Sequence, residues 1–493
     1  MKPPLSRRDF MKLAGFTSAA AALWGCTPQT TISPTYTPTI APAGSEDEFV
    51  VAALRRITFG PLPEEIARAK QIGFEAFVEE QLAPQTIDDS ELTARINHLA
   101  TLHMTAGELA ELEKRALPVT ELIQSTLLRA VYSRHQLYEM MVNFWSDHFN
   151  IYVLKKTDRF LKTIDDQEAI RPNALGSFRD ILSASMHSPA MLIYLDNASS
   201  TNEGPNENYA RELMELHTLG VNGGYTQEDV ANVARALTGW TVTGPRGGQE
   251  VGQFVFRRQS HDDVAKQILG LNFPSGQGIE DGEQLIDLLA DHPSTASYIS
   301  YKLVRRFVSD SPPPALVSQA AFVFQSSRGD LRAVLKTILF SEDFRLSLGM
   351  KLKRPFEYVV SSIRQTNASA KFDKTTSQYL RQMGQTPFFW PAPNGYPDVG
   401  AAWLNSNDLL SRWNFSLGLA ANAFADTHID WDELTGSASP QEAIDDLSLR
   451  LLGRVLPEDV RTFILDQTSV IQADAPLIPI GALLLASPYY QYR

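Results

Sequence analysis

Cysteine is almost missing from this chain: Cys26 is the only one among 493 residues. No internal disulfide can form, so stability must come from packing. The same scarcity excludes thiolate catalysis, thiolate-ligated iron–sulfur clusters and c-type haem from everything beyond residue 26. The chain also lacks GxSxG, HExxH, a Walker loop and the Rossmann glycine pattern, so the common serine hydrolase, zincin and nucleotide-binding signatures are absent. Basic residues are in deficit, with 44 Lys and Arg against 57 Asp and Glu and a formal charge of −13. An acidic surface opposes phosphate binding, which argues against nucleic acid as a partner and against peripheral attachment to anionic lipid.

What is present begins at the N-terminus. Ser6-Arg7-Arg8-Asp9-Phe10-Met11-Lys12 fits the twin-arginine export pattern. The apolar stretch Leu13 to Leu23 follows, too short for a membrane span of about 20 residues. Leu23-Trp24-Gly25-Cys26 resembles a lipobox, with Trp24 a poor fit to it, and predicts lipidation of Cys26. The bland alternative is an incidental cysteine in a leader cleaved nearby. Residues 1–26 therefore read as a twin-arginine lipoprotein signal. Residues 27–47, rich in Thr, Pro, Ser and Ala, read as a tether that buries too little apolar surface to fold. The expected location is periplasmic or cell-surface, with the lipid as the only membrane attachment. The twin-arginine route carries folded passengers, which raises the prior for a metal or cofactor loaded before export.

Residues 48–493 read as one large, mainly α-helical domain with a small inserted β-hairpin. Helical periodicity predicts Glu48 to Thr58, Glu64 to Ala83, a long helix from Glu121 to Trp145, and Ser177 to Met186. It further predicts Asn206 to Leu219, Gln227 to Leu237, Thr295 to Val308, Leu331 to Phe340 and Phe356 to Gln365. Thr226 with Asp229 resembles a capping box, and Gly239 fits a helix C-cap. The hairpin is predicted within Trp240 to Arg258, turning at Gly244 to Gly248.

Three clusters could carry chemistry. On the helix from Asn206, a rotation of 100° per residue puts Asn208, Arg211, Glu212 and Glu215 on one face and His217 nearly opposite. Two carboxylates beside a guanidinium suit acid–base or ion-binding work: Glu212 and Glu215 as acid, base or ligand, Arg211 orienting them, Asn208 touching substrate. The bland alternative is a solvated face with an Arg211–Glu215 pair at i, i+4. Asp147 and His148 sit among aromatics at the end of the long helix, a setting for an acid–base or ligand pair; the alternative is an ordinary helix end. Trp390, Asn394 and Tyr396 belong to a rigid aromatic loop, Trp390 to Asp398, of the kind that lines a carbohydrate site, or alternatively a packed Pro-rich crossing. His187, in Met186-His187-Ser188-Pro189, joins His148 and Glu212 as a speculative set for a divalent metal. Ser260-His261-Asp262-Asp263 after the hairpin reads equally as a helix start.

Across these segments the chain resembles a known bacterial family, the domain of unknown function DUF1800. The resemblance rests on Asn206 to Gly220, Gly223-Gly224-Tyr225-Thr226-Gln227-Glu228-Asp229-Val230 and Ala234-Arg235-Ala236-Leu237-Thr238-Gly239-Trp240. It extends through Phe144 to Phe149, His187 to Met191, Lys353-Arg354-Pro355-Phe356-Glu357 and Trp390 to Asp398, spanning nearly all of the body. It implies an exported, largely helical protein, often encoded beside an exported sulfatase-like or phosphatase-like protein as its candidate partner. It implies no reaction. The leading expectation is an extracytoplasmic hydrolase of envelope or environmental polymer with a carboxylate-rich, metal-assisted site. The rivals are a non-catalytic binding or assembly partner and a cofactor-dependent redox protein. Convergence of Glu212, Glu215, His148 and His187 within about 10 Å at a cleft would favour the enzyme reading over a binding role.

Overall fold

Apolar residues every third or fourth position, closed by side-chain caps, set the architecture. The computed structural model describes residues 45–244, 250–372, 374–436, 439–470 and 477–493. The segments predicted as an export leader with its Cys26 lipidation site, as a tether up to residue 44 and as the hairpin turn at 245–248 lie outside these. Helix α1, Glu46–Ile57, opens with a capping box in which Ser45 and Glu48 bond each other's backbone. It therefore starts inside the end of the predicted tether. Among the described residues, no helix is long and apolar enough to cross a membrane.

The predicted helix from Glu64 to Ala83 is two helices hinged at Gly73, whose φ of +87° suits glycine. The predicted long helix from Glu121 to Trp145 is also two: α2, Leu117–Tyr132, and α3, Gln136–His148. The break has a nonlocal cause. Asp89 accepts hydrogen bonds from the Ser133 hydroxyl at 2.7 Å and the Arg134 backbone N–H at 2.9 Å. The Gln136 amide donates to the freed carbonyls of Ala130 and Ser133 and accepts from the Phe59 N–H. Several backbone groups released by the break thus find side-chain partners.

Helix α4 is Asp158–Asp165, and α5, Glu207–Glu212, runs into a π-helical turn at Leu213–Thr218. Helix α6, Gln227–Ala236, carries the predicted Thr226–Asp229 capping box. The predicted hairpin pairs β1, Trp240–Val242, antiparallel with β2, Phe254–Phe256. A second hairpin, β3 at Lys266–Ile268 with β4 at Leu271–Phe273, follows where none was predicted. Helices α7, Pro293–Phe307, α8, Leu331–Leu339, and α9, Pro355–Gln365, complete the frame around the site.

One apolar core runs from Phe49 to Tyr490 and takes in all of these helices. It also swallows charge. Arg306 is fully buried, and Glu357 and Arg493 are each 2% exposed. Such burial is tolerable only when ion pairs and hydrogen bonds replace water.

Candidate functional site

The last turn of α3, one face of α7, the N-terminal cap of α9 and the Trp390 to Asp398 loop enclose a cavity of about 270 Å³. From α3 come Phe144, Asp147 and His148; from α7 come Tyr298, Tyr301, Lys302 and Arg305. Arg354 enters from the α9 cap, and Trp390, Asn394, Gly395, Tyr396 and Asp398 from the loop.

The loop is fastened from several directions. The Asn150 side chain donates to the carbonyls of Trp390 and Ala392 at 3.0 and 2.8 Å. The Tyr194 hydroxyl donates to Pro391 O, and Tyr396 to Thr386 O. Trp390 donates from its indole to Asn394 Oδ1 at 2.9 Å and packs 5.0 Å from the Tyr396 ring. Tyr396 is buried, while Trp390 stays half-buried and Asn394 exposed. Gly395 makes the closest approach: a Cβ there would stand 1.9 Å from the Asp147 carbonyl oxygen, and its φ is +69°. Gly395→Ala is expected to cost about 1–3 kcal/mol through clash and left-handed strain. Thermal unfolding measures the loss, and faster amide exchange in the loop locates it; an unchanged midpoint would contradict the close approach.

At the cavity wall Lys302 Nζ lies 2.7 Å from His148 Nδ1, and His148 Nε2 lies 3.0 Å from the His217 carbonyl oxygen. A carbonyl only accepts, so Nε2 carries the imidazole proton and Nδ1 accepts from lysine. Burial drives His148 well below the usual histidine range, helped by the charge of Lys302. Burial also lowers Lys302, to about 8, although Asp147 and Asp398 pull it upward. Lys302 thus keeps its proton at neutral pH but holds it loosely.

Asp147 Oδ2 receives Arg354 Nη1 at 2.8 Å. Burial raises the Asp147 carboxyl, and Arg354 opposes that rise. Among the described residues its Oδ1 has no hydrogen-bond donor. Asp398 lies 3.5 Å from Lys351, 3.7 Å from Arg306 and 3.9 Å from Arg354. Burial works against its ionisation, but these cations hold it far below the usual carboxylate range. Behind it Glu357 receives Arg306, Arg493 at 3.0 Å and Arg354 at 3.3 Å. This buried lattice fixes Arg354, and through it Asp147.

The structure gathers Asp147, His148, Trp390, Asn394 and Tyr396, which sequence reasoning had left in two separate clusters. The first cluster fares differently: Glu212, Glu215, Arg211 and Asn208 do not line this cavity. The chain is π-helical from Leu213, with Leu219 N–H bonding back five residues to Met214 O at 2.9 Å, yet Arg211, Glu212 and Glu215 stay neighbours as the helical spacing predicts. Asn208 donates to Leu195 O. Arg211 binds Glu207 at 3.1 Å and Gln227 at 3.0 Å and lies 3.8 Å from Glu215, so the ordinary i, i+4 ion pairing holds here. Glu212 is half-buried, and burial followed by the like charge of Glu215 raises its carboxyl. His217 is fully buried, and neither ring nitrogen has a partner among the described residues.

The metal set His148, His187 and Glu212 is not assembled. His187 Nε2 pairs with Glu283 at 3.0 Å, its Nδ1 with Ser183 O, and its ring packs on Trp240 and Phe254. Both His148 nitrogens are already taken. Among the described residues no three His, Cys, Asp or Glu side chains form a ligand group. Of the four residues whose convergence would favour an enzyme, only His148 lines the cavity. Ser260 to Asp263 is not a helix start but a short 3-10 turn at Arg258–Ser260, after which His261 bonds Asp281 at 3.2 Å.

Sequence reasoning missed Lys302, Arg305, Arg354 and Asp398 as site residues. A faint signal existed: Lys302 and Arg305 share a face with Tyr298 and Tyr301 on one helix of an acidic protein.

With this geometry established, comparison adds the lineage. The family described as "Protein of unknown function (DUF1800)" matches residues 52–492. The chain belongs to the DUF1800 family. The segments that carried the resemblance supply much of the cavity of this family member: Phe144 to Phe149 its floor, Arg354 one corner, and Trp390 to Asp398 its lip. No match is found among curated proteins or among solved structures.

Proposed function

We propose that this DUF1800 member is an exported, lipid-anchored hydrolase of envelope or environmental polymer, and that its chemistry takes place in the cavity between α3, α7 and the Trp390 loop. The observation carrying this reading is the Lys302–His148 contact: a loosely held proton at a cavity wall, opposite the carboxylate of Asp147. Groups shifted toward neutrality inside a cleft are the usual mark of acid–base work. In this reading the Lys302 ammonium protonates the departing oxygen as the bond to it breaks. Asp147 Oδ1 accepts a proton from the attacking water, whose hydroxyl completes the new bond. His148, neutral and fixed in tautomer, positions Lys302. The half-buried Trp390 offers a face for a sugar ring. The export leader and Cys26 motif support a site of action outside the cytoplasm. Glu212 and Glu215 take no part in this scheme.

Screening the full chain against envelope and environmental polysaccharides for reducing-end release tests the proposal. Because protonated Lys302 is the active form, the rate should fall as pH rises through about 8. Loss of activity only above pH 10, or no released ends on any polymer, would overturn it.

A further inference from the structure

The cavity carries more positive charge than its carboxylates neutralise. Three cations face it, Lys302, Arg305 and Arg354, against two carboxylates, Asp147 and Asp398. Both carboxylates are committed elsewhere. Asp147 pairs with Arg354, and Asp398 rests against Lys351, Arg306 and Arg354. Neither lies within ion-pair distance of Lys302 or Arg305. Among the described residues, Lys302 has its hydrogen bond to the neutral His148, and Arg305 has one to the Tyr301 hydroxyl. Arg305 Nε is buried without any acceptor. The two cations stand one helical turn apart on α7, close enough that the charge of Arg305 helps lower Lys302. Two neighbouring cations with no ion pair of their own, offset only by the more distant charges of Asp147 and Asp398 on Lys302, are unexpected in a chain of net charge −13. An oxyanion between them would relieve their repulsion and satisfy the orphaned N–H, the role for which a guanidinium fork is suited.

We infer that the cavity recognises an oxyanion, a carboxylate, sulfate or phosphate, borne on a sugar ring, with Arg305 and Lys302 gripping the anion and Trp390 packing the ring. This rests on the reading of the cavity as the substrate site and names the class of polymer: an acidic glycan. Arg305 is the specificity residue and plays no part in the proton transfers.

Calorimetric titration of the full chain with glucuronate, inorganic phosphate and glucose tests the inference without requiring turnover. Glucuronate is expected to bind tighter than phosphate, and glucose at least about tenfold weaker than glucuronate. Arg305→Met should weaken glucuronate about tenfold or more, with Arg305→Lys falling between the parent and Arg305→Met because it keeps the charge and loses the fork. If Arg305→Met lowers the thermal midpoint, the native protein decides the matter. Its glucuronate affinity must fall with added salt, and salt-independent binding would overturn the inference. Glucose binding as well as glucuronate would overturn it too, and phosphate binding tighter than glucuronate would replace a sugar-borne anion with a free one. The two readings fail separately. Hydrolysis of a neutral polymer unaffected by Arg305→Met removes the anion site and keeps the enzyme. Arg305-dependent glucuronate binding with no hydrolysis of any polymer keeps the anion site and removes the enzyme.

Discussion

Glu357→Ala is expected to destabilise the protein by about 3–5 kcal/mol, the usual cost of stripping one partner from a buried ion network. The argument runs from burial. Arg306, Arg354 and Arg493 all converge on Glu357, and none of the four is more than 3% exposed. Burial alone would raise the Glu357 carboxyl, yet these arginines hold it well below the ordinary range. Removing it leaves three guanidinia near one another, with Asp398 and, for Arg354 alone, Asp147 as their remaining close carboxylates. Because the folded value is depressed, this stability is present above the unfolded carboxylate range of about 4.3 and is lost as the pH falls well below it. Thermal unfolding near neutral pH should show a midpoint lower by about 6 °C or more, taking roughly 2 °C per kcal/mol for large domains. Asp287→Ala provides the contrast. Its pair with Arg179 is exposed at both ends, 45% and 57%, and should matter by less than about 1 kcal/mol. A Glu357→Ala variant as stable as Asp287→Ala would refute the network.

Lys302→Met should lower kcat/KM on the cleaved polymer by about 10²–10⁴, the range for removing a general acid or base. The thermal midpoint should fall by no more than the loss of one buried hydrogen bond to His148, about 1–3 kcal/mol, because among the described residues Lys302 makes no ion pair and methionine matches its methylenes. The alkaline limb of the pH profile should vanish with it. Asp147→Asn should also cost at least about 10² at unchanged fold, since an amide can still accept from Arg354 but cannot take a proton from water. Glu212→Gln should leave activity in place. Full activity in Lys302→Met, or loss in Glu212→Gln alone, would move the chemistry away from the cavity and toward the π-helical turn.

The site was half legible in the sequence, for identifiable reasons. Asp147 and His148 stood out because polar groups amid Phe144, Trp145 and Phe149 demand an explanation, and Trp390, Asn394 and Tyr396 because Pro and Gly rigidify their loop. Their union could not be read locally, since Asn150 and Gly395 join them across more than 240 residues of chain. Nothing local marked Lys302 and Arg305, because the face of α7 that carries them meets His148 of α3 only in the folded chain. Glu212 and Glu215 attracted attention through a helical wheel, and they do stay beside Arg211, but their side chains do not line this cavity. His187 looked available for a metal until Glu283 was placed beside it.

Local chemistry thus determined the class. Periodicity, caps and turn residues act within a few positions, so the mainly helical body, the Trp240 hairpin and the Thr226 cap were fixed by neighbouring residues alone. Tertiary structure decided which charges meet. Asp89 breaks the long helix at Ser133, Arg306 and Arg493 share Glu357, and Lys302 finds His148, each through contacts whose partners are far apart in sequence. Burial then sets their protonation, because desolvation depends on everything packed around a group and not on the residues beside it in the chain.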